Sequence, residues 1–131
     1  MGDDERRDRN RATLQRFLDS FGSGERVDVH TEDFRLEVPF TDPPLDIRGR
    51  AEVGAYVAQA MTRFRFLLTL TEVHECVDPD QLVVEYVSDG VATTTGKAYA
   101  NRYIGVYWFR DGRICHAREF HNPAIASAAL S

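Results

Sequence analysis

An Asp111-Gly112 pair separates two runs in which apolar and polar residues alternate, Thr93 to Tyr107 and Ile114 to Phe120. A two-residue Asp-Gly loop between such runs favours a type I′ turn, and therefore an antiparallel hairpin. Two earlier runs also have strand periodicity and end at expected turns: Phe66 to Val77 before Asp78-Pro79-Asp80, and Gln81 to Ser88 before Asp89-Gly90. The second half of the chain thus predicts four strands, with a possible bend at Gly105.

The first half predicts two helices around one strand. Apolar residues at three- and four-residue spacing indicate a helix from Arg11 onwards, and a second amphipathic helix spans Ala51 to Phe64. Between them, Phe34 to Val38 alternates as a half-buried strand does, and residues 41–44 form a loop. We expect the charged residues 1–10 to be a flexible start. This order predicts an α+β fold with the helices packed on one face of a curved sheet.

Composition restricts the classes of function. A chain of 131 residues, 43% of them hydrophobic, has the size of one domain covering residues 1–131. The net charge of −5 and the single lysine, Lys97, argue against nucleic-acid binding. No apolar run has membrane-span length and the N-terminus is charged, so we expect no membrane partner and a cytoplasmic location. Two cysteines, Cys76 and Cys115, are too few for a disulfide scaffold.

The last predicted strand carries the strongest candidate for chemistry. Glu119 and His121 are two residues apart, so both point to one face of that strand. Counting outward from the turn places Ile104 opposite Glu119 and Arg102 opposite His121, with Trp108 on the same face. A carboxylate in apolar company is desolvated, which raises its pKa toward the range that general acid-base catalysis needs. The alternative is a surface carboxylate paired with Arg102.

Several short motifs resemble those of a known family. They keep their order along the chain: Asn10-Arg11-Ala12-Thr13, Ile47-Arg48-Gly49, Val84-Glu85, Asn101, Arg118-Glu119-Phe120 and Asn122-Pro123. On these residues the sequence resembles the cone-shaped domains related to nuclear transport factor 2, ketosteroid isomerase and the SnoaL-like cyclases. Within that group it is most similar to the phenazine biosynthesis A/B proteins.

The resemblance implies a cone-shaped, curved antiparallel sheet packed against N-terminal helices, and a homodimer through the outer sheet face. It implies that Glu119 is the acid-base glutamate of the family, and that neither an organic cofactor nor a metal is needed. On the second helix Tyr56 and Ala60 stand where the phenazine proteins carry a histidine and a serine. Arg26 aligns with a carboxylate-binding arginine of the family if a two-residue gap is allowed.

These observations predict a pocket for a small-molecule substrate, with Glu119, His121 and Tyr56 as catalytic candidates. Candidate substrate contacts are Arg102, Trp108, Ile104, Ala60 and Arg26. Tyr56 and Trp108 could instead only fill the core, and His121 could lie at the rim. Glu72 and His74 are too few for a metal site. The expected function is a cyclisation, condensation, isomerisation or dehydration in secondary metabolism. The alternative is a non-catalytic protein that binds a small molecule or acts as an accessory dimer.

Overall fold

The computed structural model describes residues 1–131 and consists of three helices and seven strands. In chain order these are α1 (Asp3–Ser23), β1 (His30–Val38), β2 (Leu45–Arg48), α2 (Arg50–Arg63), β3 (Phe64–Glu75), β4 (Gln81–Ala92), β5 (Ala98–Tyr99), β6 (Arg102–Arg110), β7 (Arg113–His121) and α3 (Pro123–Leu130). The α+β fold predicted from the sequence is confirmed.

All seven strands belong to one curved sheet that does not close. Its order is β2-β1-β7-β6-β4-β3, and β5 pairs with β4 beside this path. Every neighbouring pair is antiparallel except β1 and β7, which run parallel. The parallel pair brings the first and last strands together, so residues distant in the chain share one surface.

The two faces of the sheet have different surroundings. We call the face covered by α1 and α2 the inner face, because its side chains join Leu14, Leu18 and Val53 of those helices in one core. Its central members are Leu82, Val84, Tyr86, Tyr103, Tyr107 and Ala117. The intervening residues form the outer face: Glu85, Arg102, Ile104, Val106, Trp108, His116, Arg118 and Phe120. Burial of the inner-face side chains supplies the main hydrophobic stabilisation.

Helix α1 begins earlier than the sequence indicated. The charged start was expected to be irregular, but the helix begins at Asp3 and Asn10 is fully buried. Long-range contacts explain this, because Arg6 pairs with Asp80 and the Asn10 amide donates to Asp80 Oδ1 at 3.0 Å. Local periodicity does not reveal such tertiary anchors.

One turn prediction was also wrong. The Asp89-Gly90 pair is not a turn, because β4 continues through it to Ala92. Gly90 is needed for close packing instead, since a Cβ there would lie 2.0 Å from the carbonyl oxygen of Arg65. The C-terminal tail is a helix, α3, whose first amide is capped by the Asn122 side chain.

The β6–β7 hairpin confirms the predicted turn but not the predicted pairing. Asp111 and Gly112 both have positive φ, as a type I′ turn requires. Next to the turn, however, the register shifts between Trp108 and Phe109, because Cys115 is an extra residue on β7. This β-bulge moves every later pair by one position, which changes the neighbours of Glu119.

Candidate functional site

Glu119 lies opposite Gly105, not opposite Ile104, and its side chain belongs to the inner face of the sheet. The hydroxyl of Tyr86 on β4 donates a short hydrogen bond to Glu119 Oε2. The same Tyr86 oxygen lies 3.0 Å from the hydroxyl oxygen of Tyr107 on β6. Three strands therefore place two phenols and one carboxyl group in a connected arrangement beneath the helices.

The absence of a side chain at Gly105 makes this arrangement possible. A Cβ at that position would lie 2.4 Å from the ring of Tyr107 and 3.2 Å from the ring of Tyr86. Both distances are too short for ordinary contacts. Gly105 therefore does not bend the strand. Its lack of a side chain leaves the space in which the rings of Tyr86 and Tyr107 lie beside Glu119.

The surroundings of Glu119 control its protonation. Burial raises the pKa of Glu119 above its ordinary value, whereas the hydrogen bond from Tyr86 lowers it. Burial and the Glu119 charge both raise the pKa of Tyr86 well above its ordinary value, so this phenol remains a neutral donor. Such a carboxyl group can exchange a proton nearer to neutral pH than an exposed glutamate does.

A second hydrogen-bonded cluster holds the end of β7. Tyr99 and Tyr103 bring their hydroxyl oxygens to 2.8 Å, and the buried Asn101 amide donates to Tyr99 at 3.0 Å. The same amide nitrogen donates to the backbone carbonyl of Asn122 at 3.0 Å. Asn101 therefore fixes the segment that directly follows His121, and this accounts for an asparagine at position 101.

His121 shares the inner face with Glu119, as the two-residue spacing predicted. Its ring stacks near Tyr103, with 6.4 Å between the ring centroids, and its Nδ1 is buried without a hydrogen-bond partner. Burial lowers the pKa of His121 below its ordinary value, which favours the neutral imidazole. An unpaired buried nitrogen is costly, so His121 has an unused capacity to bond a ligand.

The two candidates on α2 differ in their relation to Glu119. Tyr56 is half-buried, and its pKa is raised by burial and, to a smaller extent, by the negative charge of Glu119. The two side chains therefore lie within electrostatic range, although no hydrogen bond joins them. Ala60 is partly buried one helical turn further along α2, whereas Arg26 is exposed in the segment between α1 and β1.

The other predicted substrate contacts lie on the opposite face from Glu119. Ile104 pairs with Phe120 and Trp108 pairs with His116, while Arg102 pairs with Val87 of β4. The prediction that Arg102, Ile104 and Trp108 share the face of Glu119 is wrong, because the bulge at Cys115 shifts the register. Glu119 is consequently not paired with Arg102, which also excludes the surface ion pair considered above.

A cavity of about 710 Å³ lies near the ends of β6 and β7, and both outer-face residues and the inner-face Tyr86 and Tyr103 line it. Its lining includes Ile104, Phe120 and Arg102, and it reaches His121 at the end of β7. Glu119 is not a lining residue, so the predicted substrate pocket at Glu119 stays a prediction. His121 is the candidate residue that both borders this cavity and shares the face of Glu119.

Comparison with known proteins identifies the fold family. A family model described as a SnoaL-like domain matches residues 14–117. The chain belongs to the SnoaL-like domain family. An uncharacterized PhzA/B-like protein of Pseudomonas aeruginosa is 36% identical over 97 residues, which cover 72% of this chain and 69% of that protein. The uncharacterized protein YesE of Bacillus subtilis is 30% identical over 107 residues, covering 79% and 73%.

Solved structures agree with this assignment. The crystal structure of a phenazine biosynthesis-related protein from Pseudomonas aeruginosa has a TM-score of 0.82 and 25% identity, covering 98% of this chain and 88% of that one. The resemblance to the phenazine biosynthesis A/B proteins is therefore confirmed. None of the three helices of this SnoaL-like domain combines the length and the hydrophobicity that a membrane span requires.

The sequence analysis missed the tyrosines of the SnoaL-like core. Tyr99, Tyr103 and Tyr107 recur at four-residue spacing. On a strand, residues at even spacing have their side chains on one face. The repeat could therefore have predicted that these tyrosines share one face of the sheet. Their connection to Glu119 through Tyr86 depends on strand pairing, which the spacing does not contain.

Proposed function

We propose that this protein is a cofactor-independent acid-base enzyme of natural-product biosynthesis, with Glu119 as the proton-transferring group. Membership of the SnoaL-like family, together with phenazine-related relatives, supports a cyclase or isomerase type of role. The proposed substrate is a small intermediate with a carbonyl or imine group. Glu119 would move a proton at the neighbouring atom in a cyclisation, condensation, isomerisation or dehydration.

The observation that supports this proposal most directly is the pair formed by Glu119 and Tyr86. A desolvated carboxyl group with a raised pKa can act as a base once it is deprotonated, and it can return the proton to the product. The hydrogen bond from Tyr86 fixes one carboxyl oxygen, so the other oxygen is oriented for the substrate. Orientation of this kind contributes much of the rate in enzymes without cofactors.

His121 and Tyr56 are the proposed partners of Glu119. Negative charge that develops on a carbonyl oxygen is stabilised by hydrogen-bond donors placed beforehand. The neutral His121 ring offers a nitrogen without a protein partner, and the Tyr56 phenol lies in the field of Glu119. We propose that both residues form hydrogen bonds with the substrate. Ala60, on the same helix as Tyr56, would contact the substrate beside them.

A second candidate function is binding of a small molecule without catalysis. The observation in its favour is that the cavity near His121 is lined mainly by outer-face residues and does not include Glu119. Its volume of about 710 Å³ is within the usual range for ligand sites. In this alternative Glu119 and the tyrosines would only maintain the core, while Arg102 and Ile104 would contact the ligand.

The proposal can be tested by proton exchange, because base catalysis exchanges the hydrogen next to a carbonyl. We would incubate the protein in D₂O with a panel of small cyclic ketones, aminoketones and β-keto esters and follow deuterium incorporation by NMR. Glu119→Gln keeps the shape of the side chain, and we expect it to reduce exchange by about 10²- to 10⁴-fold. Glu75→Gln, an exposed residue on β3, is the matched control.

The two functions give different results in this experiment. Exchange that is equally fast in Glu119→Gln and in the unaltered protein would contradict the role of Glu119. If no panel member exchanges, while ligand-observed NMR shows binding that Glu119→Gln leaves unchanged, the binding function is supported. Circular dichroism of both variants excludes loss of the fold as the cause.

A homodimer through the outer sheet face is also part of the proposal. Ile104 is 46% exposed and Phe40 is 56% exposed, although both are large apolar side chains. Phe40 packs against Phe120 with 5.2 Å between the ring centroids. Exposed apolar side chains grouped on one sheet face are typical of an interface between protein chains.

A further inference from the structure

Strand pairing brings together three potential metal ligands on the outer face of the sheet, opposite the face that carries Glu119. Glu72 and His74 lie on β3, and Glu85 lies on β4. His74 Nε2 is 2.8 Å from Glu85 Oε2 and 3.7 Å from Glu72 Oε2. One ligand atom from each of the three residues lies within 4.8 Å of the others.

A β-bulge produces this arrangement. The register between β3 and β4 shifts between Leu70 and Glu72, so that Glu72 becomes the direct partner of Glu85. His74 follows on the same face of β3 and reaches diagonally to Glu85. The sequence offered only Glu72 and His74, two ligands that are insufficient for a metal site. The third ligand becomes visible only through the pairing.

The two carboxylates of this cluster share one potential cation within it, His74. Like charges directly opposite each other on neighbouring strands are destabilising. Arg102 is the other cation near Glu85, and it forms no ion pair with it. Two adjacent carboxylates thus require a proton or a cation beside them.

The donor set and its location suit a metal ion of the zinc type. An imidazole nitrogen together with carboxylate oxygens is a common zinc ligand set, and three protein ligands leave one position for water or a ligand. Glu72 and Glu85 also line the cavity of about 710 Å³. An ion held by them would therefore border the space in which a small molecule could bind.

We propose that Glu72, His74 and Glu85 form a binding site for a divalent transition-metal ion, for which zinc is the probe. The site is independent of the proposed proton transfer, because Glu85 and Glu119 occupy opposite faces of the sheet. Metal binding is measured without turnover. Failure of this proposal and failure of the acid-base function are therefore distinguishable.

The test is calorimetric titration of the tag-free protein with zinc chloride. We expect one ion per chain at pH 7.5, and at least about tenfold weaker binding in His74→Ala and in Glu72→Gln, because each removes a direct ligand. Glu75→Gln removes the same charge from the same strand outside the cluster, so its affinity should stay within about twofold of the unaltered protein. These comparisons distinguish direct coordination of zinc by the three residues from general electrostatic attraction of zinc to a negatively charged protein.

A second measurement follows from the protonation of His74. Zinc binds only the deprotonated imidazole, so binding releases a proton when His74 is charged. We expect weaker binding at pH 6 than at pH 7.5, with heats that depend on the ionisation enthalpy of the buffer. In His74→Ala this dependence should disappear.

Two results would overturn the proposal. The first is an absence of zinc-dependent heat up to about 1 mM, which corresponds to very weak binding. The second is equal affinity in the unaltered protein, His74→Ala and Glu75→Gln, which would show that zinc binds elsewhere. In either case the cluster is only a surface ion pair between His74 and Glu85.

Discussion

The Tyr86 hydroxyl donates a hydrogen bond to Glu119 Oε2 from the strand next but one in the sheet, and the intervening residue is a glycine. Tyr86 is 1% exposed, so the bond lies in a region of restricted water access. A hydrogen bond in such surroundings is stronger than one at the surface. This pair therefore connects the stability of the core to the acidity of the proposed catalytic group.

Tyr86→Phe should raise the pKa of Glu119 further, because the hydrogen bond that lowers it is removed. The pH at which the Glu119 carboxyl group titrates would then increase, as measured by NMR of the protein labelled with ¹³C at glutamate carboxyl carbons. Tyr103→Phe is the control, since Tyr103 stacks on Tyr86 with 5.0 Å between centroids but donates to Ser88. An equal shift in both variants would contradict the specific role of Tyr86.

Glu119→Gln should change how stability depends on pH. The folded-state pKa of Glu119 is raised above 4.5, so the folded protein retains this proton in a range where the unfolded chain has released it. The Glu119 contribution to the free energy of unfolding therefore decreases as pH rises from about 4.5 through the folded-state value. Urea unfolding between pH 4 and about 8 should show this decrease in the unaltered protein and a smaller one in Glu119→Gln. Parallel curves for the two proteins would contradict the burial of a titrating carboxyl group.

Gly105→Ala should destabilise the protein by roughly 1–3 kcal/mol, because the added methyl group overlaps the ring of Tyr107. Gly54→Ala is the matched control on α2, where a Cβ meets nothing within 4 Å. There the change should increase stability by roughly 0.5–1 kcal/mol, since alanine favours the helix. Thermal unfolding followed by circular dichroism measures both. A Gly105→Ala variant as stable as the unaltered protein would show that the tyrosines can move aside.

His30 should cause a loss of stability in acid. Burial lowers its pKa from 6.5 to about 4, so below pH 6.5 the unfolded chain binds a proton that the folded protein excludes. The free energy of unfolding therefore falls as pH decreases from 6.5 toward about 4. His30→Leu keeps an apolar contact with Phe17 and Phe34 and should remove this component. Urea unfolding at several pH values measures the free energy of unfolding of both proteins. The same loss of stability in acid for His30→Leu and the unaltered protein would contradict the prediction.

Ile104→Asp should convert the proposed dimer into a monomer, because a charged side chain would replace a large apolar one on the outer face. Size-exclusion chromatography with light scattering gives the mass directly. Val77→Asp is the control, since Val77 is 98% exposed and follows β3. A monomeric unaltered protein, or a dimer that persists in Ile104→Asp, would contradict the proposed interface.

Local sequence patterns were sufficient to predict the fold class and the principal candidate residue. Helical spacing, strand alternation and the Asp111-Gly112 turn are local properties, and they predicted α+β architecture and the hairpin. The short motifs around Glu119 identified the family, which the comparisons confirm. The common face of Glu119 and His121 also follows from spacing alone.

The residues that surround Glu119 could not be predicted from local patterns, because they depend on strand pairing. A single bulged residue, Cys115, changes the register, and the alternation of side chains then exchanges the two faces of β6 relative to Glu119. Because of this shift, the neighbours of Glu119 are Gly105 and the inner-face tyrosines and not Ile104 and Arg102. The hydrogen bond from Tyr86 and the cluster of Glu72, His74 and Glu85 likewise depend on strand pairing. Local patterns specify which residues form strands, whereas packing between strands determines which side chains meet.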